Sequence, residues 1–498
     1  MAAERSSQER NSTTWRNVFY IIAIAVIVFF TVLRFLHIEA DFPGGVTKSG
    51  MLYTDEGANS NAGMACVLSG HWYVEGDFNQ AINLPVFQFI QLLSFKTFGL
   101  SLQSARLTGL IFFLGLLLIL FFLIKTHTNV RTALISLLLL SANYHVFVYS
   151  RLALLEIPMT FFLMLSIFLA ANQSQGKQSV FIFFSALIFF LAILTKTIAL
   201  FALPMLLYIL FIKNQPTKSK IFHGALLCSL IGVFLTVYYF VLVKTHLQDY
   251  QFYYSTNLYT RTQMAPMQLV RNIAKTVFYG QQIDLILFPV ASIYAIIFMI
   301  TIKQLRRNSL FWISIIWMSV YIVMISTQNY APPRYYTPLV FPLVMIVAII
   351  IDYFLRTGFK SVKAAVFTTA VLISLTINSS GIVRYIASPN YSWITMAEDV
   401  KSQIENDGLM NSVLLGHFSN SISLVTGIFS INDHWGSRDL EFKIKEYDPN
   451  YYVCLGSIDE DIGTVMERYY YIEKIKEYDV FDNYYTGEPV VLYKLSKK

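Results

Sequence analysis

Two adjacent carboxylates, Asp55 and Glu56, stand in the segment "YTDEGANSN", residues 53–61, shortly after the first long apolar run of the chain. A carboxylate held just above the acyl region of a membrane can take a proton from a hydroxyl group, which is the work of a general base. The same pair can also hold a divalent cation. A third interpretation is structural, because Thr54 followed by two acidic residues is typical of a capped helix N-terminus. The residues alone leave these alternatives open.

A further carboxylate, Glu156 in "YSRLALLEIP", precedes a proline at the junction of two apolar runs and follows Arg151 by five positions. Arg151 by itself is typical of interfacial anchoring. Glu156 has no long apolar stem with which to reach the headgroups, so it favours a functional role. Lys196 separates two other apolar runs at a tight turn. A lysine at such a turn can bind a phosphate as a point charge or contact lipid headgroups.

Two later segments add cations and aromatic rings. In "QNYAPPRYYTP", residues 328–338, two prolines stiffen the approach to Arg334, and Tyr335 follows it. An arginine held in this way can pair bidentately with a phosphate. The loop 245–282 is rich in Tyr and Phe and carries Arg261. Interfacial aromatics usually form a belt, but mixed with Arg and Lys they also suit a lipid phosphate and its sugar.

The composition determines the class of protein in which these residues act. The chain has 498 residues, of which 55% are hydrophobic and 13% charged, and its mean hydropathy is +0.54. So little charge cannot cover a soluble protein of this size, which indicates a polytopic membrane protein. The net charge of +7 is spread over short loops, a pattern that indicates membrane orientation and argues against nucleic-acid binding.

Known site motifs are absent from the sequence. It contains no P-loop, GxGxxG, HExxH, GxSxG or CxxC pattern. Nucleotide hydrolysis is therefore excluded as an energy source. Cys66, Cys228 and Cys454 have no metal-ligand spacing. The sequence therefore predicts no metal site and no firm cofactor, although the carboxylates leave a divalent cation as an option.

The apolar runs predict a helical bundle of eleven spans. They lie at about 18–36, 104–124, 132–149, 157–171, 179–195, 197–212, 221–243, 283–302, 309–326, 337–355 and 364–383. The stretch 84–100 contains two Gln, a Lys and a Pro, and we expect it to lie along the outer surface as an interfacial helix. With that choice the loops 125–131, 172–178, 213–220, 303–308 and 356–363 share one side and hold twelve Lys or Arg and no acidic residue. Such loops are cytoplasmic, so the N-terminus is expected inside and the C-terminus outside.

The chain is expected to have two domains. Residues 1–387 form the membrane domain, with a first outer loop at 37–103 that carries interfacial helices. Residues 388–498 are expected to form a small extracytoplasmic α/β domain, because the strands "SVLLGHF", "YYVCLG" and "PVVLYKL" alternate with helical stretches near 392–405, 438–446 and 460–469.

The order of these motifs resembles the GT-C glycosyltransferases related to protein O-mannosyltransferases and to the aminoarabinose lipid A transferase. The resemblance covers residues 50–345 and rests on "YTDEGANSNAGMACVLSGHW", "YSRLALLEIPMTFF", "LAILTKTIALFALP" and "PPRYYTPLVFPL". It implies the GT-C fold in a multi-pass inner, or cytoplasmic, membrane. It also implies transfer of a hexosyl or pentosyl group from a polyprenyl or dolichyl phosphate to an acceptor hydroxyl at the outer face. The acceptor would be a lipid, a glycan or a protein.

The resemblance also implies roles for individual residues. Asp55 would be the catalytic base, with Glu56 as a supporting carboxylate. Glu156 would orient the acceptor, Arg151 or a cation. The residues implied to bind the donor phosphate are cations and one aromatic: Lys196, Arg334, Tyr335, Arg151 and Arg261. Two positions depart from the family pattern. Asn83 stands where many relatives carry a basic residue or His, and Glu156 stands where they often carry Asp.

Two alternatives to a glycosyltransferase remain at this stage. A polytopic transporter or lipid flippase would move its substrate without covalent transfer, and such proteins usually show repeated halves and ionisable residues within spans. Here the spans are nearly free of charge and an extramembrane domain follows them. The other alternative is a catalytically silent relative that only scaffolds other proteins.

Overall fold

The structure is a computed structural model. It describes residues 2–44, 46–47, 54–172, 177–212, 216–258, 266–328, 331–358, 361–408, 412–433, 439–481 and 487–498.

Most of the described chain is helical. Six helical segments are long and apolar enough to cross a membrane: Leu102–His127, Gln178–Thr195, Thr217–Tyr253, Ser309–Ser326, Pro333–Thr357 and Val362–Asn406. Shorter apolar helices are Asn17–Leu33, Val130–Ala142, Glu156–Ala171, Thr197–Ile212 and Leu287–Thr301. The polytopic helical class is confirmed, while the count of eleven spans and their sidedness stay predictions.

Short polar residues fix where several of these helices begin. Ser101 accepts a hydrogen bond from the backbone N–H of Ser104, and Asn129 accepts one from Thr132. Such N-caps satisfy backbone donors that have no partner inside the helix. Below them, the helices share one large apolar core, whose fully buried members include Phe113, Trp317 and Phe341.

In its described part, the loop 37–103 contains four α-helices: Asp55–Ala58, Asn61–Ser69, Gln80–Asn83 and Pro85–Phe98. The last of them corresponds to the ambiguous stretch 84–100. Its Gln88 is buried and donates to the carbonyl of Ala58 at 3.1 Å, whereas Phe89 and Leu93 are exposed. One polar face against protein and one apolar face outward fit a helix lying in the membrane interface.

The C-terminal region contains a five-stranded sheet with the order β2-β1-β3-β5-β4. The strands are β1 Val413–Leu415, β2 Phe429–Ile431, β3 Tyr451–Leu455, β4 Tyr470–Tyr478 and β5 Val490–Lys497. Strands β2, β1 and β3 are parallel, and β5 and β4 extend the sheet in antiparallel pairing. Helices Ser392–Asn406, Ser419–Thr426, Leu440–Tyr447 and Glu460–Met466 connect or flank the strands. The predicted small C-terminal sheet is confirmed, whereas β2, β4 and helix Ser419–Thr426 were not predicted.

The C-terminal sheet region packs directly on the loop 37–103 and on helix Tyr144–Tyr149. A single apolar cluster joins Phe42 and Tyr149 to Trp393, Phe418 and Ile422 of the C-terminal region. Asp41 of the first outer loop accepts hydrogen bonds from the backbone N–H groups of Ser392 (2.8 Å) and Trp393 (3.2 Å). Asp41 therefore binds the first N–H groups of helix Ser392–Asn406 and fixes the start of this helix against the loop 37–103.

Candidate active site

Four of the charged residues singled out in the sequence meet in one cluster. Arg334 Nη1 lies 2.9 Å from Asp55 Oδ2, and its Nε lies 3.7 Å from Glu156 Oε1. Lys196 Nζ forms an ion pair with the same Glu156 oxygen. Glu156 therefore holds both cations, and Arg334 links the two carboxylates.

An aromatic ring completes the cluster. Lys196 Nζ lies 4.1 Å from the centroid of the Tyr335 ring, and Arg334 Cζ lies 5.2 Å from the same centroid. Both distances are within the range of cation–π attraction. Tyr335 therefore fixes the positions of both cations in addition to their carboxylate partners.

Each charged member lies at the end of a helix. Asp55 is in the first turn of helix Asp55–Ala58, where Thr54 stands at the N-cap position. Glu156 opens the 16-residue helix Glu156–Ala171, where its carboxylate benefits from the positive end of the helix dipole. Lys196 stands between helix Gln178–Thr195 and the 3-10 helix Thr197–Ala202. Arg334 is in the 3-10 turn Pro333–Tyr336, directly before a long helix.

The cluster is largely enclosed but not sealed. The exposed fraction of the side chain is 3% for Glu156 and 12% for Arg334, 15% for Lys196, and 23% for Asp55. Asp55 is therefore the carboxylate most open to a substrate.

Burial raises the pKa of the Asp55 carboxyl above its ordinary value; Arg334 opposes this shift, and Glu156 adds to it. A carboxylate with a raised pKa is a stronger proton acceptor.

Glu56 faces a different partner from its neighbour Asp55. Arg106 donates to both of its carboxylate oxygens, at 2.9 Å from Nε and 2.6 Å from Nη2. The backbone N–H of Ala153 donates to Glu56 as well, at 2.9 Å. Arg106 in turn donates to the carbonyls of Ile38 and Ala40, at 2.8 Å each. The buried Glu56–Arg106 pair thus fastens the Asp55 helix to three other segments. Arg106 was not among the residues predicted from the sequence.

The remaining candidates lie apart from the cluster or outside the described residues. Arg151 is buried, and its Nη2 donates to the carbonyls of Leu36 (2.6 Å) and His37 (2.5 Å). These carbonyls lie in the turn that follows the first apolar helix, which ends at Leu33. The described contacts join Arg151 to neither Glu156 nor Asp55. Arg261 lies outside the described residues. Asn83 donates to the carbonyl of Asn79 at 3.0 Å.

A contact from the C-terminal region reaches the Asp55 helix and was not expected from the sequence. Ser421, in helix Ser419–Thr426, accepts from the backbone N–H of Gly57 at 3.2 Å and donates to the carbonyl of Thr54 at 3.3 Å. A Cβ at Gly57 would overlap the backbone nitrogen of Ser421 and the carbonyl carbon of Asn420. Only glycine permits this approach. In the sequence, Gly57 was the one available signal of this contact. The sequence alone does not identify which segment packs against that glycine.

A divalent cation would have Asp55 and Glu156 as its natural ligands in this cluster. Each of these carboxylates is paired with Arg334 or Lys196. Within the described ranges, no group of three or more His, Cys, Asp or Glu side chains has the arrangement of a metal site. Both carboxylates that a divalent cation would use are thus held by cations of the chain itself.

A family model and a relative in sequence agree with the resemblance to glycosyltransferases. The family model described as dolichyl-phosphate-mannose-protein mannosyltransferase matches residues 82–240, a range that contains Glu156 and Lys196. An uncharacterized protein of Aquifex aeolicus (strain VF5) is 26% identical over 316 residues, which is 61% of this chain. The match spans 60% of that relative's length.

Three solved structures have similar folds at low sequence identity. ArnT from Cupriavidus metallidurans, bound to undecaprenyl phosphate, matches with a TM-score of 0.61 and 14% identity, over 97% of this chain and 98% of that chain. The oligosaccharyltransferase AglB from Archaeoglobus fulgidus, in complex with an inhibitory peptide and a dolichol-phosphate, matches with a TM-score of 0.54 and 11% identity. This match covers 96% of this chain and 74% of that chain. The arabinofuranosyltransferase AftD from Mycobacteria matches with a TM-score of 0.50 and 11% identity, over 96% of this chain and 40% of that chain. The GT-C fold and the resemblance to membrane glycosyltransferases are therefore confirmed.

Proposed function

We propose that this chain is an integral-membrane glycosyltransferase that moves a sugar from a polyprenyl or dolichyl phosphate donor to an acceptor hydroxyl at the outer membrane face. The observation that carries the proposal is the cluster itself: Arg334 joins Asp55 to Glu156, beside Lys196, within a GT-C fold. A base and two phosphate-binding cations are the groups that such a transfer requires.

Lys196 and Arg334 are proposed to bind the donor phosphate. When the bond between the sugar and the phosphate breaks, the departing phosphate gains a further negative charge. Two cations already held by Glu156 and the Tyr335 ring stabilise that charge without reorganising. Glu156 is a positioning residue in this scheme, because it holds the two cations and leaves the more exposed Asp55 for the acceptor.

Asp55 is proposed as the general base. The acceptor oxygen forms a bond to the anomeric carbon of the sugar, the bond from that carbon to the phosphate oxygen breaks, and the acceptor proton passes to Asp55. Without donor, Arg334 pairs with Asp55. A donor phosphate competes for Arg334, so donor binding releases the carboxylate and raises its proton affinity. The base is thereby activated only when a donor is present.

The same geometry supports narrower roles for two other candidates. We propose that Glu56 supports Asp55 through the backbone, because its carboxylate is taken by Arg106. We propose that Arg151 anchors the end of the first apolar helix, since its Nη2 is held by two backbone carbonyls.

The outer location rests on the direction of the helices. Helix Glu156–Ala171 begins in the cluster and ends next to the loop 172–178, one of the five basic loops. Loops with this bias are cytoplasmic, so the cluster is assigned to the opposite face. The division into a membrane domain, 1–387, and an extracytoplasmic domain, 388–498, is part of the same proposal.

An assay in proteoliposomes tests the class of activity. Purified protein is reconstituted with a panel of labelled polyprenyl-phosphate sugars and with glycolipid and glycoprotein fractions as acceptors. We expect the label to become covalently attached to one acceptor fraction, with release of polyprenyl phosphate. Movement of intact labelled donor across the bilayer without covalent transfer would instead establish a transporter or flippase. Donor binding without either activity would establish a silent relative.

A further inference from the structure

A cavity lies at the end of the helices opposite the cluster. Helix Glu156–Ala171 has 16 residues, so its last residue is about 24 Å from its first. Ala171 lines a cavity of 440 Å³. The other lining residues come from the ends of neighbouring helices: His127, Tyr208, Ile209, Ile212, Arg306, Arg307, Ser309, Trp312 and Ile313. The distance is close to the thickness of a bilayer core, which places this cavity at the other membrane interface.

The charge of the cavity is entirely positive. Arg306 and Arg307 line it together with His127, and no carboxylate is among the lining residues. Two other arginines at the same end, Arg131 and Arg356, are paired with Asp352 at 2.6 and 2.8 Å. Within the part of the chain that the structure describes, Arg306 and Arg307 have no such carboxylate. The cavity is therefore a concave site for an anion.

The rest of the lining is apolar and aromatic. Ile209 and Ile313 are buried in its floor. The indole N–H of Trp312 donates to the carbonyl of Arg306 at 2.9 Å, which ties the short helix Lys303–Arg306 to the wall of the cavity. Tyr208 and Trp312 are the residue types enriched at membrane–water interfaces. A free phosphate uses only the guanidinium groups, whereas a lipid headgroup with its glycerol and acyl chains uses the apolar wall as well.

We propose that this cavity binds the phosphate of an anionic phospholipid headgroup from the leaflet opposite the cluster. Basic pockets between membrane helices on this side are suited to such headgroups. The inference goes beyond the proposed function, since no step of sugar transfer passes through the cavity. It concerns a binding site for membrane lipid that is separate from the donor site.

Titration followed by native mass spectrometry tests the proposal. The full-length protein is purified in detergent and titrated with phosphatidylglycerol or with zwitterionic phosphatidylcholine, and the dissociation constant of the first bound lipid is measured. The variant carries Arg306→Gln and Arg307→Gln. The control carries Lys218→Gln and Lys363→Gln, which remove the same charge from exposed positions on the same side without touching the cavity. Competition by inorganic phosphate forms a third arm.

We expect wild type and control to prefer phosphatidylglycerol, and the arginine variant to bind it about tenfold more weakly or worse. An equal loss in the control would overturn the proposal, because the attraction would then come from the general charge of this side. Full displacement of the lipid by inorganic phosphate would overturn the assignment to a headgroup. If the double variant does not fold, single Arg307→Gln at an exposed position gives the same comparison.

Discussion

Arg334 and Asp55 form an ion pair, with Nη1 and Oδ2 2.9 Å apart, between a turn that opens a long helix and the first helix of the outer loop. The pair brings a cation proposed to bind phosphate into contact with a carboxylate proposed to accept a proton. Each group therefore controls the other.

The pH dependence of transfer reports on this pair. Burial raises the pKa of Asp55, and a protonated Asp55 cannot act as a base. The transfer rate is therefore expected to fall as the pH is lowered through a pKa above 3.8, the ordinary Asp value. Arg334→Gln removes the cation that favours the ionised form of Asp55 before donor binds, so the acidic limb of kcat/KM for the donor should move to higher pH. Arg131→Gln, whose partner is Asp352, is the control and should leave the limb unchanged. A limb that stays in place in Arg334→Gln contradicts the coupling.

Lys196 is expected to act in donor binding. A hydrogen bond to a charged group contributes about 1.5–3 kcal/mol, so Lys196→Gln should weaken donor binding roughly tenfold to hundredfold. The measurement is equilibrium binding of a labelled polyprenyl phosphate to the purified protein. Lys220→Gln, at the other end of the helices, is the matched control and should bind like wild type. Unchanged binding in Lys196→Gln would remove this residue from the donor site.

Glu56 is expected to matter for stability more than for chemistry. Glu56→Gln leaves the buried Arg106 without a counter-charge, and breaking such a pair costs about 3–5 kcal/mol. We expect a clear drop in the unfolding temperature, while kcat per folded molecule stays near wild type. A normal unfolding temperature with abolished transfer would instead mean that Glu56 takes part in the reaction.

Gly57 is expected to tolerate no side chain. A Cβ there would overlap the backbone nitrogen of Ser421, so Gly57→Ala must displace either helix Ser419–Thr426 or the helix that carries Asp55. Transfer should fall by more than tenfold, in keeping with the sensitivity of catalysis to misplacement of a reacting group. Gly232→Ala is the control, because no atom lies within 4 Å of the point that its Cβ would occupy, and it should be fully active. Full activity of Gly57→Ala would show that the C-terminal contact does not position Asp55.

The candidate cluster was predictable because motif order carries information about which segments meet. Glu156, Lys196 and Arg334 were chosen as charges at the ends of apolar runs, and Asp55 as one of two adjacent carboxylates in the loop after the first run. The structure brings all four together. The resemblance supplied the common site, since charge and spacing alone left headgroup anchoring as an alternative. A charged side chain at a helix end has few side chains of its own helix beside it, so its partners come from other segments.

The remaining features depend on tertiary contacts that a sequence does not contain. Asp55 and Glu56 are adjacent, but successive residues of a helix point about 100° apart, which sends one toward Arg334 and the other toward Arg106. The carbonyl partners of Arg151, Leu36 and His37, lie in the turn after another helix. Strand β2 has only three residues, too few to show an alternating pattern, and it exists because it pairs with β1.

The most direct test of the proposed chemistry is the pair of variants Asp55→Asn and Asp55→Glu, measured for donor binding and for transfer. Asparagine keeps the size of the side chain and cannot accept the proton. We predict that Asp55→Asn binds the polyprenyl-phosphate sugar at least as tightly as wild type, because Arg334 is released, while transfer falls by a factor of about 10² or more. Asp55→Glu should recover part of the rate. Transfer by folded Asp55→Asn at the wild-type rate would contradict the assignment of Asp55 as the base.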